Sequence, residues 1–315
     1  MNDLRIVFLG TPDFAVATLK ALVKHKKNIV GVITAPDKPA GRGRTLHQSA
    51  VKQYALSQNL HVLQPTNLKA EDFLAQLNSL QANLQIVVAF RMLPKEVWQM
   101  PKFGTFNLHA SLLPQYRGAA PINWVIINGE SKTGVSTFFI DEKIDTGHII
   151  LQEETTIEKN ENAGSLHDKL MLLGSQLVLK TISLIEDGTV HTIEQNFTEE
   201  VKTAYKLDTE NTKINWNCSV ETIHNKVRGL SPYPSAWSYI QNGESEISIK
   251  IFATEIKIEK HNEEIGKVIS TKNTLKVAAK NGWVFLQELQ LPGKKKMNIK
   301  SLLNGYNFES NAKMR

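Results

Sequence analysis

A chain of 315 residues, 41% apolar and 22% charged, has the length for two ordinary domains and enough apolar material for real cores, which excludes disorder, collagen-like repeats and a disulfide scaffold. Its one cysteine, Cys218, cannot form an internal disulfide, and no Cys/His cluster has metal-ligand spacing, so a reducing compartment and no metal are expected. The net charge is +6, and the excess lies beyond residue 207, where 16 Lys and Arg meet 11 Asp and Glu; such a distribution suits a polyanionic partner or simply a soluble surface.

Residues 5–10, Arg-Ile-Val-Phe-Leu-Gly, are a short apolar run closed by glycine. The run is too short to span a membrane, and no basic segment with a cleavage site accompanies it, so a cytoplasmic protein is expected. Thr-Pro-Asp follows, then helical spacing over 14–23. Strand, tight turn and helix result, with Asp13 or Thr11 near the N-cap. A second strand is predicted over 29–33, a Pro- and Gly-rich loop over 34–46, a helix over 48–58, a short strand at 62–63 and a helix over 71–80. The β-branched run at 84–90 has the look of a strand buried on both faces, as in parallel sheets. Alternating strands and helices imply an α/β, doubly wound, mostly parallel sheet over 1–188. From 189 to 207 the pattern loosens into polar residues, which reads as a linker. A helix over 215–228 follows. Short alternating runs at 247–253, 266–269, 274–278 and 284–289 then predict a small β-barrel or sandwich within 208–315.

The densest chemistry lies in Phe106-Asn107-Leu108-His109-Ala110-Ser111-Leu112-Leu113-Pro114. In an extended segment Asn107 and His109 project from one face. An amide beside an imidazole can donate to a developing oxyanion, although a satisfied strand-end pair fits equally well. Asp145 sits in Asp141-Glu142-Lys143-Ile144-Asp145-Thr146-Gly147, a turn after an apolar run. It could hold a histidine or serve only as turn chemistry. The loop over 35–44 carries Lys38, Arg42 and Arg44 among glycines and prolines, a flexible basic element that suits phosphates or is merely exposed. Lys294-Lys295-Lys296 is open to the same two readings. The turn Gly10-Thr11-Pro12-Asp13 is not Gly-x-Gly-x-x-Gly, and no P-loop occurs, so a dinucleotide cofactor is unsupported.

Taken together, Asn107-x-His109, Ser111-Leu112-Leu113-Pro114-x-Tyr116-Arg117-Gly118 and Asp141-x-x-x-Asp145-x-Gly147 resemble the signature of 10-formyltetrahydrofolate-dependent formyltransferases. Further segments resemble the branch of that family whose acceptor is a methionyl initiator tRNA. These are Phe8-Leu9-Gly10-Thr11-Pro12-Asp13-Phe14, Pro36-Asp37-Lys38-Pro39-x-Gly41-Arg42-Gly43, Ala119-Ala120-Pro121-Ile122, Pro232-Tyr233-Pro234 and Pro292-Gly293-Lys294-Lys295. The resemblance implies a Rossmann-like domain followed by a smaller OB-like β-barrel that binds tRNA. It implies 10-formyltetrahydrofolate as co-substrate, no metal, and formylmethionyl-tRNA for translation initiation as product. Asn107, His109 and Asp145 would be catalytic; Ser111, Leu112, Leu113 and Pro114 would border the folate; Lys38, Arg42 and Arg44 would meet the tRNA. A monomer that binds no membrane is expected. Two positions depart from the pattern: Arg91 stands where glycine is common, and His148 where aspartate is frequent. The alternative acceptor is an amino-sugar nucleotide.

Overall fold

The computed structural model describes residues 3–40, 45–196 and 200–315. The chain forms two compact units. One comprises Met1–Gly118, Thr133–Thr155 and His167–Thr203, the other Ala119–Lys132, Thr156–Leu166 and Ala204–Arg315.

Seven strands make the main sheet of the first unit: β1 (Ile6–Gly10), β2 (Ile29–Ile33), β3 (Val62–Leu63), β4 (Leu84–Val88), β5 (Thr105–His109), β6 (Lys132–Phe139) and β7 (Ile149–Thr156). Their spatial order is β3-β2-β1-β4-β5-β6-β7. Pairing is parallel from β3 through β5, and β6 then runs antiparallel to β5. This is the Rossmann-like doubly wound order with a reversed strand added at one side. Every residue of β1 and β4 is buried, as strands covered on both faces require, and in β4 this includes the polar Gln85. The helix Asp13–Lys24 buries Phe14, Ala15, Leu19 and Leu22. Its N-cap is Pro12, not Asp13 or Thr11. Asp13 is instead the first helical residue, where its charge faces the positive end of the helix.

The 25-residue helix Ala163–Asp187 went unpredicted. Its apolar stripe, Leu170, Leu177, Val178, Ile182 and Ile185, is interrupted by Ser175 and Thr181, which are buried too. A Cβ on Gly174 would stand 2.7 Å from the Leu108 side chain, so glycine lets this helix lie directly on β5. Where a loop was expected over 34–46, Lys38–Ala40 and Thr45–His47 pair as antiparallel strands. Arg42 and Arg44 lie outside the described residues. The base of this hairpin is tied down: Asp37 accepts from Lys52 Nζ at 2.6 Å and from Gln64 Nε2 at 2.8 Å. The Lys52 bond, followed by that from Gln64, holds the Asp37 carboxyl below the usual range.

The second unit is built on β8 (Ala236–Asn242), β9 (Ser245–Ile258), β10 (Val268–Ser270), β11 (Leu275–Ala279), β12 (Gly282–Gln290), β13 (Met297–Asn298) and β14 (Lys313–Met314). The order is β10-β11-β12-β9-β8-β14, with β13 on β12. Val268 N donates to Ala312 O at 2.9 Å and Met314 N to Gly266 O at 2.8 Å, joining the two ends. Of the two forms left open, barrel or sandwich, the sheet is barrel-like. The helix expected over 215–228 is Val220–Leu230, because the Ser219 hydroxyl accepts from Thr222 N and starts it there. Val220, Ile223, Val227 and Leu230 enter the barrel core beside Trp216. Among the described residues no helix is long and apolar enough to cross a membrane.

Beside this core sits an acid-sensitive group, His224. His224 Nδ1 is 2.9 Å from Thr254 Oγ1. Burial, followed by the charges of Arg228 and Lys159, pushes the His224 pKa down. The unfolded chain takes up that proton near pH 6.5, while the folded unit resists it to lower pH. The neutral ring's stabilisation is therefore complete above about pH 6.5 and is lost as pH falls through the window below it. His224→Gln is expected to lose less stability than the parent between pH 7.5 and 5.5, read as urea midpoints; equal losses would refute the assignment.

Candidate active site

On β5 the side chains of Asn107 and His109 share one face. Across the antiparallel pair Asn107 lies opposite Phe138 and His109 opposite Ser136. The C-terminal end of β6 therefore lies beside the start of β5. The turn over 141–147 leaves from that end and doubles back along β5, since Asp145 Oδ2 stands 3.7 Å from His109 Nδ1. His109 is buried, 6% exposed, and Asn107 is half-buried. The Asn107 amide makes no side-chain hydrogen bond among the described residues, which leaves its donors for a ligand.

The imidazole is oriented from both sides. Nε2 lies 2.8 Å from the Tyr116 carbonyl oxygen, which can only accept, so Nε2 carries a proton. Nδ1 faces the carboxylate at a distance beyond a hydrogen bond. A substrate oxygen or amine hydrogen could enter there. The two residues that flank the ring, Tyr116 (φ 59°) and Asp145 (φ 54°), both occupy the left-handed region although neither is glycine.

The Asp145 turn is held by Gln195, which sequence reading missed, together with Arg117, Gly118 and Gly147 of the quoted motifs. Gln195, 3% exposed, donates from Nε2 to Asp145 O at 3.0 Å and to Gly147 O at 2.7 Å. Its Oε1 accepts from Arg117 Nε at 3.2 Å. Gly118 N donates to Asp145 Oδ2 at 3.0 Å. Burial pushes the Arg117 guanidinium down, opposed by the charges of Asp145 and Asp141. A Cβ on Gly147 would fall 1.7 Å from Phe139 O, so only glycine permits this turn against β6. Gln195 lies in the aperiodic polar stretch, where no spacing marks it.

Ser136 was missed as well. Its hydroxyl donates to Ser111 O at 2.7 Å and accepts from Leu113 N at 3.1 Å, clamping 111–113. Gln152 Nε2 donates to Leu113 O at 2.9 Å. Ser111 is buried, with its hydroxyl donating to Gln115 O at 2.6 Å, and Leu113 packs with Phe138 and Ile149. Leu112 and Pro114 are half-buried. Lys38 is exposed on its hairpin strand. Arg91 is engaged by backbone, its Nη1 donating to Thr66 O at 2.9 Å. His148 is exposed, 3.5 Å from Thr192 Oγ1.

Asn107, His109 and Asp145 thus form one constellation: an amide, an imidazole nitrogen and a carboxylate on the face of β5. It can receive an oxygen that gains negative charge and accept a proton beside it.

Residues 4–182 match the profile of the family described as Formyl transferase, and residues 206–307 that of Formyl transferase, C-terminal domain. The chain is 60% identical over 314 residues to a methionyl-tRNA formyltransferase of Flavobacterium johnsoniae, covering 100% of both chains. To a methionyl-tRNA formyltransferase of Bacteroides thetaiotaomicron it is 51% identical over 318 residues, covering 99% of each. The crystal structure of WlaRD, a sugar 3N-formyl transferase in the presence of dTDP and 5-N-formyl-THF, superposes with a TM-score of 0.64 at 22% identity. That match covers 94% of this chain and all of WlaRD, and at such low identity it speaks for the fold alone. Matched in both its parts and half or more identical to relatives along its whole length, the chain belongs to the formyl transferase family.

Proposed function

We propose that the chain transfers the formyl group of 10-formyltetrahydrofolate to the α-amino group of methionyl initiator tRNA, giving formylmethionyl-tRNA and tetrahydrofolate. The observation that carries this reading is the meeting of Asn107, His109 and Asp145 on β5, with Asp145 Oδ2 3.7 Å from His109 Nδ1. The methionyl amine attacks the formyl carbon, and the carbonyl π electrons move onto oxygen. The Asn107 amide and a proton on His109 Nδ1 stabilise that oxyanion. Asp145 accepts the ammonium proton, directly or through water. The oxyanion then re-forms the carbonyl, the bond to folate N10 breaks, and N10 takes the proton from the Asp145 carboxyl, directly or through water, which restores the carboxylate. Residues 111–114 border the folate: Leu112 and Pro114 offer side-chain surface, while buried Ser111 and Leu113 fix the backbone. Residues 1–188 carry the chemistry, and 208–315, with the basic residues Lys38, Arg42 and Arg44, hold the tRNA. The excess of cations beyond residue 207 supports this partner.

The test supplies formyl-labelled folate with methionyl-tRNA and, separately, with amino-sugar nucleotides. Label is expected on the tRNA, with KM for tRNA rising steeply with salt. Transfer to the sugar alone would overturn the assignment.

A further inference from the structure

Along β8, Trp237 and Tyr239 alternate with the buried Ala236, Ser238 and Ile240, so both rings stand on the outer face of the barrel. The rings are 5.1 Å apart at 88°. Trp237 Nε1 donates to Thr209 O at 2.8 Å, which fixes that ring in place. The Lys213 ammonium lies 5.5 Å from the Trp237 ring centre and 5.0 Å from that of Tyr239. From β9, exposed Lys250 lies opposite Trp237 and Ser248 opposite Tyr239. Trp237, Tyr239, Ser248 and Lys250 line a hollow of about 470 Å³ that also includes Leu207, Asp208 and Pro234, and Lys213 reaches it only through its contacts with the two rings. The Asp208 carboxylate is engaged, accepting from Asn211 N at 2.8 Å.

We propose that this hollow binds one unpaired nucleotide of the RNA, its base against Trp237 and Tyr239 and its phosphates on Lys213 and Lys250. The proposal rests on the tRNA reading above and adds where, and through which chemistry, one base docks. Every base has a π face, so an aromatic pair beside cations takes a nucleotide without reading its sequence. The hollow is of ligand size. In the free chain the Lys213 ammonium rests over both rings. An entering base takes the ring face, and the ammonium shifts to the nucleotide's own phosphate, so no charge is left without a partner. A peptide strand fits less well. β8 is paired with β9 on one side and β14 on the other, so its main chain offers no open edge for strand addition. A base-paired duplex fits less well again, because its base faces are stacked inside.

The test uses the full chain and reads tryptophan fluorescence and tRNA binding. A short unpaired oligoadenylate should quench part of the emission of the five tryptophans, and Trp237→Ala should remove that quenching. A blunt RNA duplex and polyglutamate of matched charge should not reproduce it. Trp237→Ala is expected to weaken tRNA binding roughly tenfold, with kcat at saturating tRNA unchanged and with Trp237→Phe restoring most of the affinity. Lys213→Ala, which leaves both rings in place, should weaken binding and lower the salt slope by about one. Parent-like tRNA affinity in Trp237→Ala, or equal quenching by duplex or polyglutamate, would overturn the proposal. If the parent failed to formylate tRNA, the acceptor reading would fall, while the oligoadenylate result would still decide the hollow.

Discussion

Asp145→Asn is expected to lower kcat for formyl transfer by roughly 10²–10⁴-fold, the range for loss of a positioned acid or base. The substitution keeps size and shape. An amide oxygen can still accept from Gly118 N, which stands 3.0 Å from Asp145 Oδ2. What disappears is the carboxylate 3.7 Å from His109 Nδ1 and, on the proposed mechanism, the group that takes the amine proton. The affinity for methionyl-tRNA and the thermal midpoint should therefore stay near the parent's. Single-turnover formylation with tRNA in excess separates the chemical step from binding. A variant with parent-like single-turnover rates would remove Asp145 from the chemistry.

Gln195→Leu has a different signature. It keeps the volume but leaves the Asp145 and Gly147 carbonyls without the donors that now reach them at 3.0 and 2.7 Å. Arg117 also loses an acceptor. Unsatisfied buried groups of this kind cost about 1–3 kcal/mol, so the thermal midpoint should fall. A displaced carboxylate near the reaction should lower kcat by up to about 10²-fold, with KM for either substrate little changed. Asp145→Asn thus changes rate without stability, whereas Gln195→Leu changes both. If Gln195→Leu lost stability at an unaltered kcat, Gln195 would be a packing residue with no hold on the turn.

How far the site was legible depended on whether its geometry is local. Asn107 and His109 are two residues apart on one strand, so the period of a strand alone puts them on one face. The approach of Asp145 follows from the reversed direction of β6 and from the absence of a side chain at Gly147. Strand direction is a tertiary property that periodicity does not carry. Gln195 is less legible still: it is polar, aperiodic and separated by 50 residues from the turn it holds. Elements dominated by apolar, β-branched residues, β1 and β4, were read nearly to their ends. The helix Ala163–Asp187 escaped because glycine, serine and threonine occupy buried places in its stripe. The reading of 34–46 as loop failed because the paired strands are short, three residues each, and Lys38, Pro39, Leu46 and His47 are all exposed, so no alternation of burial marks them.

The two left-handed residues beside His109 bear on how this protein would change under selection. Tyr116 and Asp145 each hold a backbone conformation that costs a non-glycine residue about 1–3 kcal/mol. Glycine at either position would relieve that cost in the folded state. At position 145 it would also delete the carboxylate; at 116 it would loosen the carbonyl that orients the imidazole. A library screened only for heat tolerance is therefore expected to accumulate glycine at 116 and 145 and to lose turnover as it does so, whereas one screened for growth on the enzyme's product should keep both strained residues and gain its tolerance elsewhere.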